Sequence, residues 1–212
     1  MLAKKGTCDD DLAEEAEARP IMVSGKMAYH MVQFLRVKWG RISYERFRRE
    51  FEKDTGMVIN EHVMATKKVP LDFQLLLNAR ALDLSDDGPR PGQEEELKEM
   101  MVYIAKMETS STLIKMFIKH LSVETLLKKL IDRWDQFLSA GRLEITKCDT
   151  EANVLILRLS DFGEWPWYFW RSTGFFFEEV VSAFGTRNVH VIDRTVIMGD
   201  RPAHEFEIHW DH

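Results

Sequence analysis

Apolar and polar positions change their rhythm along this chain, and the segment from Arg142 to Trp210 carries the clearest pattern. Leu143-Glu144-Ile145-Thr146 alternates, the period-two mark of a half-buried strand. Asp149-Thr150 punctuates a turn, and residues 152–159 are then almost continuously apolar, as a central strand would be. Between Trp165 and Gly185 the spacing becomes helical: Trp170, Thr173, Gly174, Phe177, Val181 and Phe184 recur at three or four residues and share a face. Gly185 ends that helix, because glycine accepts positive φ at little cost. Val189–Ile192 and Glu205–Ile208 read as two further strands, joined across Gly199-Asp200-Arg201-Pro202. The order is ββαββ, a helix laid against an antiparallel sheet.

Upstream the rhythm is helical. Ser24 is a plausible N-cap for a helix carrying Met27, His30, Met31, Phe34, Leu35 and Lys38, with Gly40 as its stop. Ser43 opens a second, with Phe47 and Phe51, ending at Gly56. Residues 70–84 place Leu71, Leu75, Asn78 and Leu82 in one stripe, and the loop Ser85-Asp86-Asp87-Gly88-Pro89-Arg90-Pro91-Gly92 follows. Leu97, Met100, Met101 and Ile104 mark another helix from Gln93. Thr109 or Ser110 caps one with Leu113, Met116, Phe117 and His120, and Ser122 opens the last, from Leu126 to Leu138. These helices are too apolar on one side to stand alone, and the aromatic unit downstream is their natural cover. The expected class is α+β: an acidic tail over 1–23, a helical layer over 24–141, and the ββαββ sheet unit over 142–212. The loop at 85–92 is too short to separate domains, so the last two parts form one.

Charge and cysteine usage narrow the setting. A net charge of −6 over 212 residues argues against a general nucleic-acid binder. Cys8 and Cys148 are too few for a disulfide framework, which fits a reducing compartment. The start of the chain is acidic without an apolar core, unlike a signal peptide, and no run approaches the ~18 apolar residues that span a bilayer. A soluble cytoplasmic protein is expected. Asp9, Asp10, Asp11, Glu14, Glu15 and Glu17 read as a solvated tail or as an arm for a basic surface. Arg36, Lys38, Arg41, Arg46, Arg48, Arg49 and Lys53 form the basic concentration in this acidic chain, with Glu45, Glu50 and Glu52 interleaved. That stretch is either an internally paired face or a docking patch for an acidic partner, the chain's own tail included.

The closing segment resembles a known superfamily. Gly174-Phe175-Phe176-Phe177 within a helix ending at Phe184-Gly185, then a strand, then Met198-Gly199-Asp200 and His204-Glu205-Phe206-Glu207-Ile208-His209-Trp210, is similar to the end of vinyl-reductase-type small-molecule-binding domains. That superfamily includes heme-nitric-oxide-binding-like domains and trafficking-complex subunits of the Bet-three type, and the nearest flavour is an uncharacterised myxobacterial family of roughly this length. The resemblance implies a hydrophobic small molecule held between helix and sheet, and dimerisation. In the vinyl-reductase-type relatives paired cysteines bind metal. Here Thr195 stands at the first cysteine position and Ala203 or His204 at the second, so that function does not carry over.

Candidate chemistry is sparse. His204, His209 and His212 cluster in sequence, but strand alternation sends His204 with Phe206 and Ile208, and His209 with Glu205 and Glu207, to opposite faces. A metal site from His190, Glu207 and His209 would need a favourable register, and none is expected. His120, late in a helix with Met116 and Phe117, is the candidate heme ligand; the plainer account is a histidine satisfying helix-end carbonyls. Tyr44-Glu45-Arg46-Phe47-Arg48 shares only its tyrosine and arginine with the Tyr-x-Ser-x-Arg signature of heme sensors, and no cofactor is expected. No nucleophile elbow or phosphate loop occurs, Cys148 lacks a base, and Glu178-Glu179 diverge around the helix. No enzyme is expected.

The aromatic load remains: Trp165, Trp167, Tyr168, Phe169, Trp170, Phe175, Phe176, Phe177 and Phe184. One helix face hides about half of these rings, each worth roughly 1.5–3 kcal/mol when buried. Phe175 falls with Arg171, Glu178 and Ser182 on the far face, so the helical layer, a partner or second copy, or a bound molecule must cover it. The expected function is a non-catalytic sensory or adaptor domain that holds an apolar or aromatic molecule, or a protein partner, at Trp165, Trp167, Trp170, Gly174, Phe175, Phe177, Val181 and Phe184. A ligand-free assembly subunit is the alternative, and a heme-based gas sensor the third reading.

Overall fold

The computed structural model describes residues 20–110 and 123–211. In chain order these form β1 (Met22–Ser24), α1 (Gly25–Thr55), α2 (Glu61–Thr66), β2 (Lys68–Pro70), α3 (Leu71–Leu82), α4 (Gln93–Thr109), α5 (Val123–Ile131), α6 (Trp134–Phe137), β3 (Arg142–Asp149), β4 (Val154–Ser160), α7 (Trp167–Ser182), β5 (Arg187–Met198) and β6 (Arg201–Asp211). The class is α+β, with an N-terminal helical layer on a C-terminal ββαββ unit. The acidic segment Asp9–Glu17 and His120 lie outside the described residues.

The sheet is antiparallel in the order β3-β4-β6-β5. Leu155↔Ile208, Leu157↔Phe206 and Leu159↔His204 face each other across its central pair, and this side meets α7. The alternate positions carry an ion ladder on the other side: Glu205 takes Arg158 at 2.6 Å and Arg194 at 3.2 Å. Burial pushes the Glu205 carboxyl up, but those two guanidinium partners outweigh it and hold it below the usual carboxylate range. The closing hairpin is tighter than its sequence suggested. Gly199-Asp200 alone make the turn, Gly199 at φ 61°, and Arg201 and Pro202 belong to β6. Pro202 is tolerated because its strand has outrun β4, whose pairing ends at Leu159↔His204.

Two short strands escaped the periodicity. β1, at the end of the stretch read as a tail, pairs with β2 and also bridges Leu138, tying the start of the helical layer to the entry of the sheet unit. Gly25 must be glycine there, since a Cβ would meet the Lys67 carbonyl oxygen at 2.1 Å. Gly40 does interrupt the first helical run, at φ 75° and ψ 163°, and turns Val37 and Ile42 out to solvent. α2 is capped by Asn60, whose Oδ1 accepts from the Val63 N–H at 3.1 Å.

The far face of α7 is covered by α4. Phe175 is 6 % exposed, with Lys98 and Arg171 over its ring at 5.4 and 4.9 Å. Lys98 also bonds Glu178 at 2.5 Å, and Arg171 bonds Glu94. The ring surplus that made a partner or ligand at Phe175 an option is therefore absorbed within the chain, by a helix whose charged stems lie along the aromatic face.

Candidate functional site

The aromatic series divides into three environments. Gly174, Phe177 and Val181 are core against the sheet: Phe177 is 1 % exposed and meets Phe206 edge to face at 5.2 Å. A Cβ on Gly174 would lie 3.5 Å from Val191, so the helix rides close on β5. Phe175 is under α4, and Phe184 is half-buried beyond the helix end. Phe177 also reaches a seam between α7 and the helical layer, while Trp165, Trp167 and Trp170 border a cleft on the opposite side of the α7 start.

The seam encloses about 60 Å³. Its walls include Val23, Leu71, Leu75 and Met101 from the helical layer and Phe169, Phe176 and Phe177 from α7. Three residues on this apolar lining carry buried polar atoms without a hydrogen-bond partner: Gln74 Oε1, Asn78 Oδ1 and Trp134 Nε1. Gln74 and Asn78 stand one turn apart on α3, so their amides share a face with Leu71 and Leu75. An orphaned buried amide costs about 1–3 kcal/mol, which makes this pair the chemical anomaly of the seam. The sequence placed Asn78 in the leucine stripe and passed over Gln74. Two amides spaced i, i+4 inside that stripe were the available signal.

The cleft holds about 330 Å³ between the 161–166 loop and the β5–β6 hairpin. Trp170 stacks on His204 at 4.1 Å with planes 10° apart. His204 Nε2 lies 3.3 Å from Asp193 Oδ2, and Asp193 Oδ1 accepts from Arg171 at 2.7 Å. Arg171 continues to Glu94 in the first turn of α4, so a chain of hydrogen-bonded polar groups runs from the cleft floor into the helical layer. Burial pushes the Asp193 carboxyl up, but His204 and Arg171 prevail and keep it below the ordinary range. Thr195 and Ala203 also line this cleft.

The remaining candidates separate. His190 and His209 pair directly across β5 and β6 with rings stacked at 4.8 Å, and Glu207 takes His209 at 3.0 Å. Among the described residues no group of three potential ligands converges on a metal position. In the basic stretch Arg36 bonds Glu61 at 2.6 Å, Lys38 bonds Glu99 at 2.6 Å, and Arg48 bonds Glu52 at 3.0 Å. Arg41, Arg46 and Arg49 are exposed and form no ion pair among the described residues. Tyr44 is fully buried in α1, under Arg36, and burial together with Glu61 pushes its phenol up to about 12. It is a helical-core residue remote from the sheet in sequence and packing. No described helix is long and apolar enough to cross a membrane.

No protein-family profile matches the chain, and no curated protein is similar to it in sequence. Solved structures do match. A mutant of the T. Tengcongensis H-NOX domain superposes with TM-score 0.59 at 10% identity, covering 89% of this chain and 98% of its own. An oxygen-binding H-NOX domain related to soluble guanylate cyclases, solved as its oxygen complex, gives 0.57 at 12% identity over 89% and 95%. A third, from work on heme redox potential and porphyrin distortion, gives 0.54 at 12% over 88% and 99%. The chain therefore has the heme-NO-binding fold, along nearly its whole described length. This overturns the expectation of no cofactor, since the solved neighbours that share the fold are H-NOX domains studied for their heme. The described residues do not enclose one as they stand. The seam is several-fold smaller than the ~300–1,000 Å³ of ligand pockets, and no histidine, cysteine or tyrosine among the described residues lines it. The histidine read as a heme ligand, His120, lies outside them.

Proposed function

We propose that this chain is a non-catalytic sensory domain that takes a small molecule into the seam between α7 and the helical layer. The observation that carries the reading is the pair of unpartnered amides, Gln74 and Asn78, set in otherwise apolar walls. A guest with an apolar body and a hydrogen-bond donor would satisfy these two carbonyl oxygens and spread α5 and α6 away from α7. Occupancy would thereby alter how the helical layer sits on the sheet unit, which is the shift in population a sensor needs. The H-NOX fold supports the reading and makes heme the first guest to test. Kinship with the vinyl-reductase-type domains and their myxobacterial relatives belongs to the same reading, as does a reducing, cytoplasmic setting, consistent with the free thiol of Cys148.

The test is expression with a heme precursor followed by native mass spectrometry and absorbance. One bound small molecule per chain is expected, with a Soret band if it is heme. Chains of unmodified mass without Soret absorbance, from several hosts, would overturn the proposal. The small seam volume also favours a second reading, a ligand-free assembly subunit with a filled core. An obligate homodimer or hetero-complex in light scattering, without added small-molecule mass, would decide for it.

A further inference from the structure

The indole cleft has a chemistry of its own, and it shares no lining residue with the seam. Its rim comes from Glu164, Trp165 and Trp167, its floor from Phe162, Trp170 and His204. Every indole N–H is already committed to a backbone carbonyl. Trp165 donates to Phe162 at 2.8 Å, Trp170 to Trp165 at 3.1 Å, and Trp167 to Ser85 at 2.7 Å. The indoles therefore have ring surface rather than hydrogen bonds to offer a guest. Both nitrogens of His204 are similarly engaged, by Asp193 and Thr195. The half-buried state of all three tryptophans leaves part of that ring surface facing the cleft.

Charge selects the guest. Glu164 is the one formally charged side chain among the described residues lining the cleft, and it has no ion pair among them. Nearby Arg201 is taken by Asp161 at 3.2 Å. The start of α7 opposes this with a partial charge of roughly +0.5, but a full carboxylate charge outweighs it. The electron-rich faces of three indoles add to the same sign. An anion would meet Glu164 and those faces; a cation would be attracted by both.

We propose that this cleft binds a small organic cation of the quaternary ammonium class, with its methyl groups against Trp165, Trp167 and Trp170 and its charge offset by Glu164. The site is independent of whatever occupies the seam. Its floor is wired to the helical layer through His204, Asp193, Arg171 and Glu94, so a guest pressing on Trp170 would act on the contact between α4 and α7.

Isothermal titration of the full chain with choline, and with its uncharged carbon isostere 3,3-dimethylbutan-1-ol, tests the assignment. Saturable choline binding is expected, with the isostere weaker by about threefold to thirtyfold, the range a cation–π contribution supplies. Glu164→Gln should weaken choline several-fold while leaving the isostere unchanged. Trp167→Ala should abolish binding, and Trp167→Phe should retain part of it if the alanine variant fails the circular-dichroism check of its fold. Absence of saturable binding at millimolar choline, equal affinity for the isostere, or indifference to Glu164→Gln would each overturn the proposal. Heme or any other seam ligand is read by mass and absorbance, so failure here and failure of the sensory reading are distinguishable.

Discussion

The first turn of α7 and the rest of that helix use the same kind of residue for opposite ends. From Phe175 to Val181 the aromatic and branched side chains are pinned between two layers, with the sheet below and α4 above. At Trp165, Trp167 and Trp170 the rings stay half-open over a cleft. Ring content alone does not distinguish a core from a site. The number of neighbouring layers does, because each layer removes one face of a ring from solvent.

The contrast can be broken by mutation. Phe177→Ala should cost about 3–5 kcal/mol, since nothing can collapse into a position closed on both sides. Trp167→Ala should cost about 1 kcal/mol in the same denaturant titration, and equal losses would abolish the distinction. Asp193→Asn should cost about 2 kcal/mol, because a half-buried carboxylate serving Arg171 and His204 at once is replaced by an amide that can serve only one well. The sign of its pH effect is fixed. The folded-state values of Asp193 and Glu205 lie below the unfolded value of about 4, so their contribution is present above that pH and fades as the pH falls through the folded values. Acid unfolding curves should therefore steepen below about pH 4 and flatten in the Asp193→Asn variant.

Smaller effects sharpen the picture of the seam. Asn78→Leu should raise the stability of ligand-free protein by about 1 kcal/mol, through removal of an orphaned acceptor, while lowering ligand occupancy. A variant that is less stable and binds as well would deny the amide its role. Gly174→Ala should be neutral or stabilising by up to about 1 kcal/mol in thermal melts, because its Cβ would meet Val191 at an ordinary 3.5 Å and helix propensity improves.

Much of this architecture was legible in the residues. The ββαββ order, the α7 face from Trp170 to Val181 and the opposed faces of His204 and His209 follow from period two and period 3.6, which act through near neighbours. β1 and β2 were not legible, since three residues carry no period and their pairing is settled by contact across 48 positions, Met22 with Pro70. The cover over Phe175 was open for a similar reason: α4 and α7 are distant in sequence, and only the fold brings Lys98 onto that ring. The seam amides hid inside a leucine stripe because periodicity counts apolar positions and does not ask what a polar one on the buried face is bonded to. The expectation of no cofactor failed because it was argued from the absence of familiar ligand motifs, although the closing segment already resembled a superfamily that includes the fold of the solved neighbours.

The most direct test of the central claim is an experimental density map of the protein as purified from cells, at a resolution that separates single waters. A bound group within hydrogen-bonding distance of Gln74 Oε1 or Asn78 Oδ1, with α5 and α6 displaced outward from α7, is the predicted result. Phe169, Phe176 and Leu75 closed on one another, with both amides bonded to protein atoms or to isolated waters, would contradict it.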